Sequence, residues 1–99
     1  MSPNIQEIKK IASPFFRSHG VKRAAVFGSV ARGEATRNSD IDIVVEFRGK
    51  KSLLDLVALE LDLGEQYSRK VDVVTYNSLH PLLRDRILKD QHIIYGQGS

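Results

Sequence analysis

Three short apolar runs constrain this chain most: Val21–Phe27, residues 40–47 and residues 70–75. Each has the length of one strand, and the segments around them carry apolar residues at three-four spacing, the signature of helices. Strands that bury a face need neighbouring strands and a covering layer, so the chain is expected to form a sheet with helices packed on it. Residues 4–18 place Ile5, Ile8, Ile11, Ala12, Phe15 and Phe16 on one helical face, with Asn4 as N-cap and Glu7 as its reciprocal partner. Pro14 should kink this helix or end it near Ser13, and Gly20 is a natural stop. Residues 52–67 read as a second helix, opened by Ser52 and Asp55. Its apolar face is wide, with Leu53, Leu54, Leu56, Val57, Leu61 and Leu63, while Leu59 falls beside Asp55, Asp62 and Gln66 on the wet side. Residues 79–89 form a short helix with Pro81 in its first turn, and His92–Tyr95 a last short strand. The order α-β-β-α-β-α-β gives an α/β fold of the α+β type, with a small mixed sheet. Its first two strands share only a loop or one helical turn and are expected antiparallel.

A chain of 99 residues is one domain, 1–99, with no room for separate cofactor and substrate domains. Apolar residues at 41% and charged ones at 27% make it globular rather than disordered. It has no cysteine, which excludes disulfides, thiolate metal sites and thiol nucleophiles. No apolar run approaches the roughly 20 residues of a membrane span, and the first residues lack a basic segment followed by an apolar one. A cytoplasmic location and no membrane partner are therefore expected. The net charge of +3 is spread over scattered lysines and arginines, without the concentrated stripe of a nucleic-acid interface, so nucleic acid is not the expected partner.

The chemistry lies in three acids. Asp40 and Asp42 stand two apart on a predicted strand, so both point to one face. Two adjacent carboxylates repel, and the arrangement is costly without a cation between them. An all-oxygen donor set selects a hard ion, Mg²⁺ or Mn²⁺, and not zinc. Asp72 interrupts the apolar run Val71-Asp72-Val73-Val74, and it joins the same site if the two strands are neighbours. Three such carboxylates can hold two ions about 3.5–4 Å apart, the clamp for in-line phosphoryl displacement. Asp72 is then placed to act as base on an attacking hydroxyl. Gly28-Ser29 follows a strand directly. The glycine lets backbone approach a phosphate, the N–H groups of the next helical turn favour anions, and the serine can donate a hydrogen bond. Arg32 and Arg37 can neutralise phosphate charge.

Gly28-Ser29, the ten residues 30–39, and Asp40-Ile41-Asp42 match without a gap the signature of the nucleotidyltransferase superfamily of DNA polymerase beta, which this chain resembles. The segments 27–33, 38–42, 69–75 and 83–95 look like the minimal nucleotidyltransferases of bacteria and archaea, so the resemblance covers nearly the whole chain. It implies a nucleotidyltransferase fold, metal-binding and catalytic roles for Asp40, Asp42 and Asp72, and a triphosphate held at Gly28 and Ser29. It further implies ATP as substrate and a partner of the HEPN type, a small helical ribonuclease toxin encoded nearby. The enzyme would act as antitoxin by moving AMP onto a tyrosine of that toxin. Larger superfamily members carry additional acceptor- and base-binding domains that are not expected here, so recognition is expected to come from the chain's own short helices, from a second copy or from a partner. The wide apolar face of the 52–67 helix, and Leu59 on its other side, are candidates for that contact. Two other readings remain open: a non-catalytic antitoxin that works by occlusion, and a nucleotidyltransferase acting on RNA or a small molecule. His19, His80 and His92 lack metal-ligand spacing and read as structural or surface residues.

Overall fold

A computed structural model describes residues 4–36 and 38–96. In chain order the elements are α1 (Ile5–Ser18), β1 (Val21–Phe27), α2 (Gly28–Ala31), β2 (Ile41–Phe47), α3 (Leu53–Tyr67) and β3 (Val71–Thr75). A 3-10 turn at Tyr76–Ser78, α4 (Pro81–Asp90) and β4 (His92–Tyr95) complete them. The strands make one mixed sheet in the order β3-β2-β1-β4. β1 runs antiparallel to both β2 and β4, and β2 runs parallel to β3. The expected mixed sheet with helices packed on it is therefore the fold observed.

Side-chain alternation divides the sheet into two faces. Ala24, Val26, Ile41, Ile43, Val45, Val71 and Val73 face α1 and α3 and form the main core with Ile8, Ala12, Phe16, Leu59 and Leu63. The opposite face is thinly covered. Ala25 and Val44 pack there with Tyr76 and with Ile87 of α4. Asp42 shares that face with Val44, and Asp72 lies beside Asp42 in the strand register. None of the described helices is long and apolar enough to cross a membrane.

Two helices differ from expectation. α1 continues through Pro14 to Ser18. Phe16, two residues past the proline, is fully buried. Burying such a side chain is worth about 1.5–3 kcal/mol, comparable to the roughly 3 kcal/mol a mid-helix proline costs. The carbonyl deprived of its donor belongs to exposed Lys10, where water reaches it. Gly20, with φ +73°, does end the segment, after His19 as C-cap.

In α3 the assignment of Leu59 to solvent is wrong. Leu59 is 0% exposed and sits in the core, on the stripe Leu56, Leu59, Leu63 and Tyr67. Tyr67 donates its hydroxyl to the Ile8 carbonyl at 2.8 Å, fixing that stripe against α1. The residues left outside are Leu53, Leu54, Val57 and Leu61, at 73%, 79%, 39% and 65% exposure. Apolar residues cover so much of this helix that periodicity alone could not tell which stripe the sheet takes. Ser52 and Asp55 form the reciprocal cap that the sequence suggests. The hydrogen bonds from the Ser52 backbone and hydroxyl hold the Asp55 carboxyl below its ordinary pKa.

Candidate active site

Strand pairing assembles the site at one end of the thinly covered face. β1 and β2 are antiparallel with Phe27 opposite Asp42, so the residue after β1 meets the start of β2. That residue is Gly28, at φ +73°. A Cβ added there would lie 2.5 Å from Oδ2 of Asp42. Only a residue without a side chain allows this approach. Parallel pairing of β2 with β3 sets Asp42 against Asp72. Neighbouring strands are about 4.8 Å apart, so the two carboxylates share one face at close range.

The electrostatics agree with that crowding. Asp42 is half-buried, and its pKa is raised first by loss of hydration and then by the negative charges of Asp72 and Asp40. Arg32 and Lys70 oppose the shift more weakly. Lys70 lies 3.8 Å from Asp72. Arg69 donates to the Ser39 carbonyl at 3.1 Å. Ser39 also closes a turn with Thr36, its hydroxyl accepting from the Thr36 N–H at 2.8 Å. These contacts hold the chain that delivers Asp40, which is exposed and lies just before β2 rather than on the strand as the sequence suggests.

The Ser29 hydroxyl has no hydrogen bond among the described residues. It stands in α2, which is a single turn of four residues. So short a helix has little macrodipole, and charge for an anion must come largely from side chains. Arg32 is exposed, and its Nε donates to Glu34 at 3.0 Å. Arg37 lies outside the described residues.

A cavity of ≈ 260 Å³ opens beside Gly28. Phe27, Leu83 and Ile87 form its apolar wall, and Arg32, Arg86 and Asp90 are its charged residues. Sequence reasoning missed Arg86. The shared spacing of Leu83, Arg86, Ile87 and Asp90 on one helical face was its only signal, and nothing local places that face next to Gly28. A larger cavity of ≈ 560 Å³ lies at the far end of β2, around Arg23, Glu46, Lys51 and Tyr76. There the Arg23 guanidinium lies 3.4 Å from Glu46 and stacks on Tyr76, a structural arrangement away from the acids.

The histidines hold the fold together locally. His19 bonds Asp62 at 2.8 Å, joining α1 to α3. His80 caps α4 by accepting from the Leu82 N–H. Among the described residues no group of three acid, histidine or cysteine side chains stands close enough to hold a metal ion without rearrangement. The donor chemistry is nonetheless that of a hard cation, with oxygens only and an acid, Asp42, whose crowding by Asp72 and Asp40 is only partly offset by Arg32 and Lys70.

Comparison with known proteins gives a consistent picture. The nucleotidyltransferase domain family matches residues 5–94. A Methanocaldococcus jannaschii protein, provisionally named a protein adenylyltransferase, is 59% identical over 87 residues, covering 88% of this chain and 94% of that protein. A solved structure provisionally described as a minimal nucleotidyltransferase superimposes with a TM-score of 0.79 at 34% identity, over 91% of this chain and 95% of that one. A chain from a toxin–antitoxin structure with AMP-PNP superimposes with a TM-score of 0.78 at 26% identity, over 93% of this chain and 74% of that one. A family match across nearly the whole chain, on a fold that brings Gly28, Asp42 and Asp72 to one sheet end, means that this chain belongs to the nucleotidyltransferase domain family.

Proposed function

We propose that this enzyme transfers AMP from ATP to a tyrosine hydroxyl of a partner HEPN-type toxin and thereby neutralises it. The observation that carries the reading is the registered Asp42–Asp72 pair with the Gly28 backbone packed against Asp42. In this reading Gly28 and Ser29 receive the triphosphate, with Arg32 and Arg37 countering its charge. Asp40, Asp42 and Asp72 would hold two Mg²⁺ ions, for which Mn²⁺ can substitute. Bound there, the metal supplies charge neutralisation of the phosphate oxygens. Asp72 accepts the proton of the tyrosine hydroxyl, the phenolate oxygen bonds to the α-phosphorus, and the bond from that phosphorus to the bridging oxygen breaks. Its electron pair leaves with pyrophosphate.

Two features support a protein partner. The toxin–antitoxin structure with AMP-PNP shares this fold at 26% identity. Leu54, Val57 and Leu61 follow one another at three-four spacing on the exposed side of α3, the pattern of a helix-packing seam. α3 carries Asp55, Glu60, Asp62 and Glu65 and no basic residue. Two copies of it would repel, so the seam suits a helical partner with basic flanks rather than a second copy of this chain.

The test incubates the purified protein with Mg²⁺, α-labelled ATP and lysate expressing the neighbouring reading frame. A labelled protein band, lost in an Asp40→Ala/Asp42→Ala double variant, is expected. Tight partner binding with no labelling from any of the four nucleotides would replace this reading with neutralisation by occlusion.

A further inference from the structure

We infer that Arg86 of α4 is a phosphate-clamping residue, which with Arg32 grips the terminal phosphates of the nucleotide that leave as pyrophosphate. The inference rests on the nucleotidyl-transfer reading above and adds to it a residue from a distant part of the chain. Position is the first argument. Gly28 abuts the Asp42 carboxylate, and the ≈ 260 Å³ cavity lined by Arg86 also has Gly28 in its wall. A group in that cavity therefore meets the glycine that abuts Asp42, although none of the three acids itself lines the cavity.

Charge is the second argument. Two guanidinium side chains from separate elements, α2's C-cap and α4, line one small cavity. Arg32 is partly neutralised by Glu34. The Arg86 side chain has no hydrogen bond or ion pair among the described residues. Asp90 also lines the cavity, one turn further along α4, yet forms no ion pair with Arg86, and the cavity's net charge stays positive. Like charges drawn to one site favour an anion between them. Phe27, Leu83 and Ile87 give the cavity an apolar wall beside the exposed Arg86 guanidinium.

Need is the third argument. α2 is too short to offer a helix-terminus field, and Lys70 is occupied with Asp72. Cations for a triphosphate must come from elsewhere. A planar guanidinium can bond two phosphate oxygens at once, which an ammonium cannot do with the same geometry. As the bond from the α-phosphorus to the bridging oxygen breaks, negative charge builds on the departing pyrophosphate. Arg86 meets that charge there.

Calorimetry with Mg²⁺ tests the assignment, using α,β-methylene ATP, which cannot transfer, and AMP, which lacks the terminal phosphates. Wild-type protein should prefer the triphosphate. Arg86→Ala should lower triphosphate affinity about tenfold or more, as expected for loss of one charge-assisted contact, and leave AMP affinity unchanged. Arg86→Lys should recover part of the preference, and Lys89→Ala on the same helix should keep all of it. A merely structural role for Arg86 would weaken both ligands equally, and that result overturns the assignment. So does an unaltered preference in Arg86→Ala, including the case where only the acceptor's KM rises and the cavity serves the acceptor instead. Wild-type protein that binds the triphosphate no better than AMP would overturn the nucleotidyl-transfer reading itself, and this assignment with it.

Discussion

Replacing Gly28 by alanine separates the backbone cost of this position from its effect on chemistry. Gly28 and Gly33 have nearly the same left-handed φ, +73° and +71°. An L-residue there costs roughly 1–2 kcal/mol, less a few tenths regained because alanine restricts the unfolded chain. Both variants should lose about 1 kcal/mol, which in a chain of this size lowers Tm by about 4–8 °C. They differ in what the new methyl group meets. At Gly33 nothing lies within 4 Å, whereas at Gly28 the Cβ would be 2.5 Å from Oδ2 of Asp42. Carbon and oxygen rest at about 3.3–3.6 Å, so the carboxylate must retreat by about 1 Å. The atom that moves is the end of a flexible side chain, so little extra stability is lost. A displacement of that size at a reacting centre can cost about a hundredfold in rate. Differential scanning calorimetry and labelled-AMP transfer on the two variants give the comparison. The expected outcome is matched melting temperatures with transfer lost only in Gly28→Ala. Equal transfer rates in the two variants would refute the close-approach reasoning, as would a far larger drop in Tm for Gly28→Ala than for Gly33→Ala.

Leu59→Ala should cost about 2–5 kcal/mol by emptying core volume, a fall in Tm on the order of 10 °C or more, whereas Leu61→Ala should stay within about 0.5 kcal/mol. Reversal of that order in thermal melts would contradict the observed facing of α3. Leu61→Glu should melt like the wild type yet fail to capture the labelled partner in a pull-down. Because burial and the charges of Asp72 and Asp40 raise the Asp42 pKa, its ionised form is unfavourable in the fold. That penalty is absent below the ordinary value of 3.8 and appears as pH rises through the raised value. Asp42→Asn in metal-free buffer should therefore be more stable than the wild type near pH 7, with the gap closing near about pH 3, while transfer is abolished. Melting curves showing a pH-independent gap, or a less stable variant at neutral pH, would remove the electrostatic explanation.

Much of this protein could be read along the chain. The strands, the caps at Asn4 and Ser52 and the stop at Gly20 are local patterns, set by residues within a few positions of one another. The juxtaposition of Gly28 with Asp42 was nearly as legible, because a short connection between two strands leaves their facing ends together. Three features depended on long-range packing. Pro14 sits within a continuous helix because Phe16 beyond it is buried in the core. Leu59 is inside and Leu61 outside because the sheet, not the helix, selects between two apolar stripes. Asp72 meets Asp42, and Arg86 meets Gly28, only because β3 pairs in parallel with β2 and α4 folds back over the open face. Residue type and spacing thus specified the pieces and their chemistry, while tertiary structure decided which distant charges share one site, since like charges converge only where packing elsewhere holds them.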